Sequence, residues 1–202
     1  MITADDQIRL AEAIRDAEAR TAGEIVVVVA QEASRYRSIP ILWALLIALA
    51  VPWPLIALTA LGPTRIFQIQ LLAALALSVF LSMPKRRFSL APRFIKHARA
   101  REAAAREFLR RGLTRTRDKT GVLIYVALAE RYAEILADAG IADRVDAGLW
   151  RAIIRDLTGA IRDGRIADGL MAAVQRSGAI LAEHAPARPG DEDELPNKVI
   201  LL

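Results

Sequence analysis

Residues 24–30 read Glu-Ile-Val-Val-Val-Val-Ala, and this run decides the fold class. It is too short to cross a membrane as a helix and shows no polar–apolar alternation. An unbroken β-branched run of this length predicts a strand buried on both faces, as in a parallel sheet covered by helices. A second run, Gly121-Val-Leu-Ile-Tyr-Val-Ala127, has the same character. With a helical crossover between them, the two strands are expected to pair in parallel as a βαβ unit.

Working outward, the N-terminal flank predicts an amphipathic helix over residues 4–20. Thr3 and Asp6 resemble a capping box with Asp in place of Glu, and Ile8, Ala11, Ile14 and Ala17 follow at helical spacing. On the other flank, Tyr132–Ala137 alternates weakly and is read as a third strand in a hairpin, with Asp138–Asp143 as the following turn. Helices are predicted over 146–163, on a stripe of Leu149, Trp150, Ile153, Ile154, Leu157 and Ile161, and over 166–184. Gly164 separates them. Residues 186–202 contain three prolines and the acidic run 191–194, and predict an extended tail whose end, Val199–Leu202, docks on the domain or on a membrane.

Ile39–Met83 interrupts this pattern, and its only charged residue is Arg65. Two apolar runs, 39–61 and 66–83, flank a turn of Gly62, Pro63, Thr64 and Arg65. As helices they would be roughly 34 and 27 Å long, against about 30 Å of bilayer hydrocarbon. A transmembrane helical hairpin is therefore expected, inserted into the crossover of one discontinuous domain (1–38 plus 84–185). Pro52-Trp53-Pro54 predicts a kink in the first span. Gln68 and Gln70, the most polar span residues, are expected to bond across the hairpin to Thr59 or the turn.

Charge gives the orientation. Residues 85–119 hold 13 of the 28 Lys and Arg but only Glu102, Glu107 and Asp118 of the acids. Lys85, Arg86 and Arg87 follow the second span, Arg35 and Arg37 precede the first, and the turn holds one Arg. The positive-inside rule then places both termini in the cytoplasm, on the inner membrane of a bacterium. Residues 1–20 lack a signal-peptide core, which agrees. A helix over 92–112 carries much of the basic block, with Ile95, Ala98, Ala105, Phe108 and Leu109 as its expected buried face. Lys85, Arg86, Arg87, Arg93, Lys96 and Arg99 are read as facing anionic lipid headgroups. No nucleic-acid motif accompanies them, so no nucleic acid is expected.

Little catalytic chemistry is available. There is no cysteine, only His97 and His184, no Gly-x-Ser-x-Gly elbow and no glycine-rich phosphate loop. Asp138 and Asp143, with Glu24 as a weaker third, are the candidate ligands for a divalent cation such as calcium. Turn formation by itself also favours Asp at 138 and 143. For Glu24 a structural role is preferred, as a cap at the start of its strand or as a partner of Arg131.

These residues together resemble the TPM domain family. The resemblance is carried by Thr21-Ala-Gly-Glu24-Ile-Val-Val-Val, Thr120-Gly-Val-Leu-Ile-Tyr-Val and Arg131-Tyr-Ala-Glu-Ile-Leu-Ala-Asp-Ala-Gly140-Ile, then Trp150 and Gly164-Arg-Ile-Ala-Asp-Gly169-Leu. It spans residues 4–38 and 92–184 and is similar to a branch in which a membrane hairpin splits the domain. It implies a three-layer α/β/α sandwich with a small, mainly parallel sheet. It also implies either an acid phosphatase or calcium-binding activity, or a role as an interaction module. Secreted members tend to carry Gly-x-Gly-Leu-Glu where this chain has Asp138-Ala-Gly140-Ile-Ala142, so an acidic-site mechanism does not transfer intact. The expected function is a membrane-anchored, cytosol-facing module that binds or organises a membrane-associated protein. A metal-dependent phosphohydrolase is the alternative, and a small transporter subunit, suggested only by Pro52-Trp-Pro54 and the glutamines, comes third.

Overall fold

The computed structural model describes residues 2–34, 36, 38–83, 88–188 and 194–202. The chain divides into two compact units, Met1–Ala33 with His97–Leu202, and Ser34–Lys96. In the larger unit a four-stranded sheet has the order β3-β2-β1-β4, formed by β1 (Ile25–Ala30), β2 (Val122–Ala127), β3 (Tyr132–Ala137) and β4 (Val199–Leu201). β1 pairs in parallel with β2, Ile25 opposite Val122, and with β4, Val27 opposite Val199. β3 closes an antiparallel hairpin on β2. This is the α/β sandwich expected from the two Val-rich runs. The tail is not simply extended, however. Its last residues form a strand on the open edge of β1, with Leu202 donating to the Val29 carbonyl and accepting from Gln31.

Alternate side chains of β1 and β2 enter two cores, which is why both strands are apolar throughout. Ile25, Val27, Val29, Val122, Ile124 and Val126 face the core formed with α1 (Ala4–Glu18), α6 (Ala139–Ala142), α7 (Ala147–Arg162) and α8 (Ile166–His184). Val26, Val28, Leu123 and Tyr125 face α5 (Arg93–Arg110). Each fully buried Val, Leu or Ile contributes about 1.5–3 kcal/mol. The predicted capping box is present: the Asp6 N–H donates to the Thr3 hydroxyl oxygen, and the Thr3 N–H donates to Asp6. α8 crosses α1 so closely that a Cβ on Gly178 would lie 2.5 Å from Ala17 Cβ.

Helix α5 corrects the sequence reading. Its buried stripe is Ala100, Ala103, Ala104 and Glu107, while Ala98, Ala105 and Leu109 are exposed. The four share one face at i, i+3, i+4, i+7 spacing. A search for large apolar residues misses a stripe made of alanines and one glutamate. Glu107 remains on it because the guanidinium of Arg111 lies 2.8 Å away and that of Arg110 3.4 Å away. Ile8 of α1 and Leu149 of α7 are likewise exposed rather than buried.

The second unit contains α2 (Ser38–Ala50), α3 (Pro52–Leu58) and α4 (Pro63–Leu81). Ser38–Leu58 and Pro63–Leu81 are long and apolar enough to cross a membrane, with mean hydropathies of 2.4 and 1.7. The first is broken at Val51, where Pro52 opens a new helix; a proline lacks the N–H that the first turn leaves unused. Pro63 does the same at the start of α4, so the link between the spans is Thr59–Gly62 rather than Gly62–Arg65. The glutamines do not bond as expected. The Thr59 hydroxyl donates to the Leu55 carbonyl, and neither Gln68 nor Gln70 has a hydrogen-bond partner among the described residues.

Candidate functional site

β1 and β2 start, and β3 ends, at one end of the sheet, and the loops there are tied by main-chain bonds. The Thr120 hydroxyl donates to the Ala22 carbonyl, Asp138 N–H to Gly121, and Gly140 N–H to Lys119. Gly140 has a packing reason to be glycine, since a Cβ there would collide with the Asp118 and Lys119 carbonyls. The C-terminal segment crosses this end, pinned by an Arg188–Asp118 ion pair at 3.0 Å.

A cavity of about 290 Å³ lies among these loops, lined by Arg15, Glu18, Thr21, Glu24, Glu194 and Asn197. Its carboxylates accept from backbone donors: Glu18 from Ile25 N–H at 2.7 Å, Glu24 from Glu194 N–H at 3.0 Å, and Glu194 from Arg117 N–H. The Thr21 hydroxyl donates to the Ala185 carbonyl and accepts from Gly23 N–H. With both roles occupied, that hydroxyl has no place in nucleophilic chemistry. Glu24 is buried and fastens the tail to the start of β1. Arg131 lies in the turn at the opposite end of β2, so the pairing considered for it is not formed.

Asp138 and Asp143 cap opposite ends of α6. The Ala139 N–H donates to Asp138 Oδ1 at 2.8 Å, and Asp143 is the exposed C-terminal cap. Asp138 Oδ2 is buried with no hydrogen-bond partner among the described residues. No group of three His, Cys, Asp or Glu able to hold a metal ion occurs among those residues. The cation expectation rests on the acidic turn residues and on the resemblance.

Residues 89–180 match the family model of the TPM domain. The matched stretch begins before α5 and ends within α8, and β1 is joined to it by the parallel pairing with β2. The NMR structure of BA42 protein from the psychrophilic bacterium Bizionia argentinensis has the same fold. The two superpose with a TM-score of 0.62 at 21% identity, covering 100% of this chain and 95% of that chain. No curated protein matches the chain.

The other face of the sheet holds a cluster that the sequence did not announce. The Tyr132 O–H donates to Glu134 Oε2 at 2.9 Å, Arg101 lies 3.8 Å from Glu134, and the His97 ring packs at 5.4 Å on Tyr132. The period-2 alternation of β3 was the available signal, because it sends Tyr132, Glu134 and Leu136 to the side of α5. Burial, then the bond to Glu134, raises the Tyr132 phenol well above its ordinary value. Tyr125 is pushed up to about 12, by burial first and then by the charges of Glu130 and Glu107.

Of the basic residues expected to face headgroups, Lys85, Arg86 and Arg87 lie outside the described residues. Arg93 and Arg99 are exposed on α5. Arg99 pairs with Glu102 at 2.9 Å, an exposed pair of small energetic weight. The Lys96 ammonium sits 3.9 Å over the Phe88 ring, a cation–π geometry.

Proposed function

We propose that this protein is a membrane-anchored TPM module of the hairpin-inserted kind, facing the cytosol, that binds or organises a protein partner at the inner membrane. The observation that carries the reading is the outer surface of α2, α3 and α4. Leu42, Leu49, Trp53, Leu58, Leu72 and Val79 are all exposed there, and α4 buries no residue. Such helices are stable in hydrocarbon and would aggregate in water. The basic residues of α5 and of 85–87 supply the electrostatic attraction to anionic headgroups and the cytosolic orientation.

A binding role accounts for the domain better than catalysis does. The carboxylates at the strand-start end are occupied in holding loops and tail, and Asp138 and Asp143 cap one short helix. The test is hydrolysis of a phosphomonoester by the purified protein, with and without calcium. The reading expects no turnover above buffer. Hydrolysis abolished by Asp138→Asn would replace it with the metal-dependent phosphohydrolase.

A further inference from the structure

Two stripes border an open groove of about 380 Å³ on one flank of the α2–α4 pair. Leu42, Leu45 and Leu49 line it from α2, and Phe67, Gln70 and Ala74 from α4. Both sets have i, i+3, i+7 spacing, the a/d repeat that receives a facing helix in knobs-into-holes packing. At 1.5 Å per residue, Gln70 lies about 10 Å inside a helix about 28 Å long. Read as a span, α4 places that amide in hydrocarbon, where an unsatisfied polar group is costly. The Gln70 amide has no hydrogen-bond partner among the described residues.

We infer that this groove is the contact between two copies of the chain, whose hairpins form a four-helix bundle across a two-fold axis, with Gln70 hydrogen-bonded to Gln70 of the second copy. The identity of the occupant follows from the amide. It carries both a donor and an acceptor, so two copies facing one another satisfy each other with no third group. A two-fold interface requires that self-complementarity. A lipid acyl chain would fill the apolar part of the groove and leave the amide unbonded. Ala74 and Ala48 keep the groove shallow enough for close helix approach. The inference rests on the membrane reading above.

The chain has no cysteine, so single cysteines report on geometry directly. Leu45→Cys and Ala74→Cys are placed in the groove, and Leu72→Cys, about 200° round α4 from Gln70, is the control. Each full-length variant is oxidised in carbonate-washed native membranes. The expected result is disulfide-linked dimer from the two groove positions and little from Leu72→Cys. Adding Gln70→Leu should weaken the pairing about 3- to 20-fold, while Gln70→Asn keeps most of it. Retention in the membrane with groove positions linking no better than Leu72→Cys would overturn the dimer and leave the anchor standing. Loss of the protein from carbonate-washed membranes would overturn the anchor, and the dimer with it.

Discussion

Helices α4 and α8 have the same length, 19 residues, and opposite surfaces. α8 buries Gly169, Leu170, Ala173, Val174, Ser177, Gly178 and Leu181, while α4 buries none and exposes Phe67, Leu71, Leu72, Leu75 and Val79. α8 has one stripe to hide and hides it against a sheet and a neighbouring helix. α4 is apolar all round, so no single packing partner removes its surface from water. The difference is the one expected if, as proposed, α4 sits in a bilayer and α8 in a water-soluble core, and it can be pressed from both sides.

The largest expected effect is in the core of α8. Leu170 is fully buried, and Leu170→Ala should cost about 2–5 kcal/mol in denaturant unfolding of the α/β unit. Leu72→Ala on α4 should leave the same transition within about 0.5 kcal/mol. Charge reverses the ranking. Leu72→Arg should disfavour membrane insertion by about 2.5–3.5 kcal/mol, read as the inserted fraction, whereas Ala172→Arg on the exposed face of α8 should change neither insertion nor folding appreciably. Gly178→Val should destabilise by about 1–3 kcal/mol, because its side chain would be driven into Ala17.

The smallest effect is in the alkaline limb. Tyr125 has its folded pKa raised to about 12, above the ordinary 10, so the neutral phenol is favoured by folding. Its contribution to stability is fully present below pH 10 and is lost as pH rises toward about 12. Tyrosinate absorbance should therefore show two phenols, Tyr125 and Tyr132, ionising late, and Tyr125→Phe should remove one of them and flatten the fall in stability over that window. Ionisation of every tyrosine near 10 would contradict the burial described.

The strands, the β2–β3 hairpin, the two C-terminal helices and both apolar spans were legible because each depends on local periodicity or on a continuous run. β4 was not. Val199-Ile-Leu is three residues after a proline-containing segment, and only its position beside β1 makes it a strand. The buried face of α5 was missed because Glu107 reads as surface until Arg111 is placed beside it. At the candidate site, Glu24, Asp138 and Asp143 were legible as polar residues at strand and turn boundaries. The bond that Glu24 accepts from the Glu194 N–H, 170 residues away in sequence, was not, since nothing local encodes it.

The central proposal is that α2–α4 cross a bilayer with the α/β unit on the cytosolic side. The most direct measurement is labelling of single cysteines by a membrane-impermeant maleimide in spheroplasts and in inverted vesicles. Thr64→Cys, at the exposed start of α4, and Gln175→Cys, on the exposed face of α8, report the two sides. Thr64→Cys is expected to label in spheroplasts only and Gln175→Cys in inverted vesicles only. Labelling of Gln175→Cys in intact spheroplasts, or of both positions in both preparations, would contradict it.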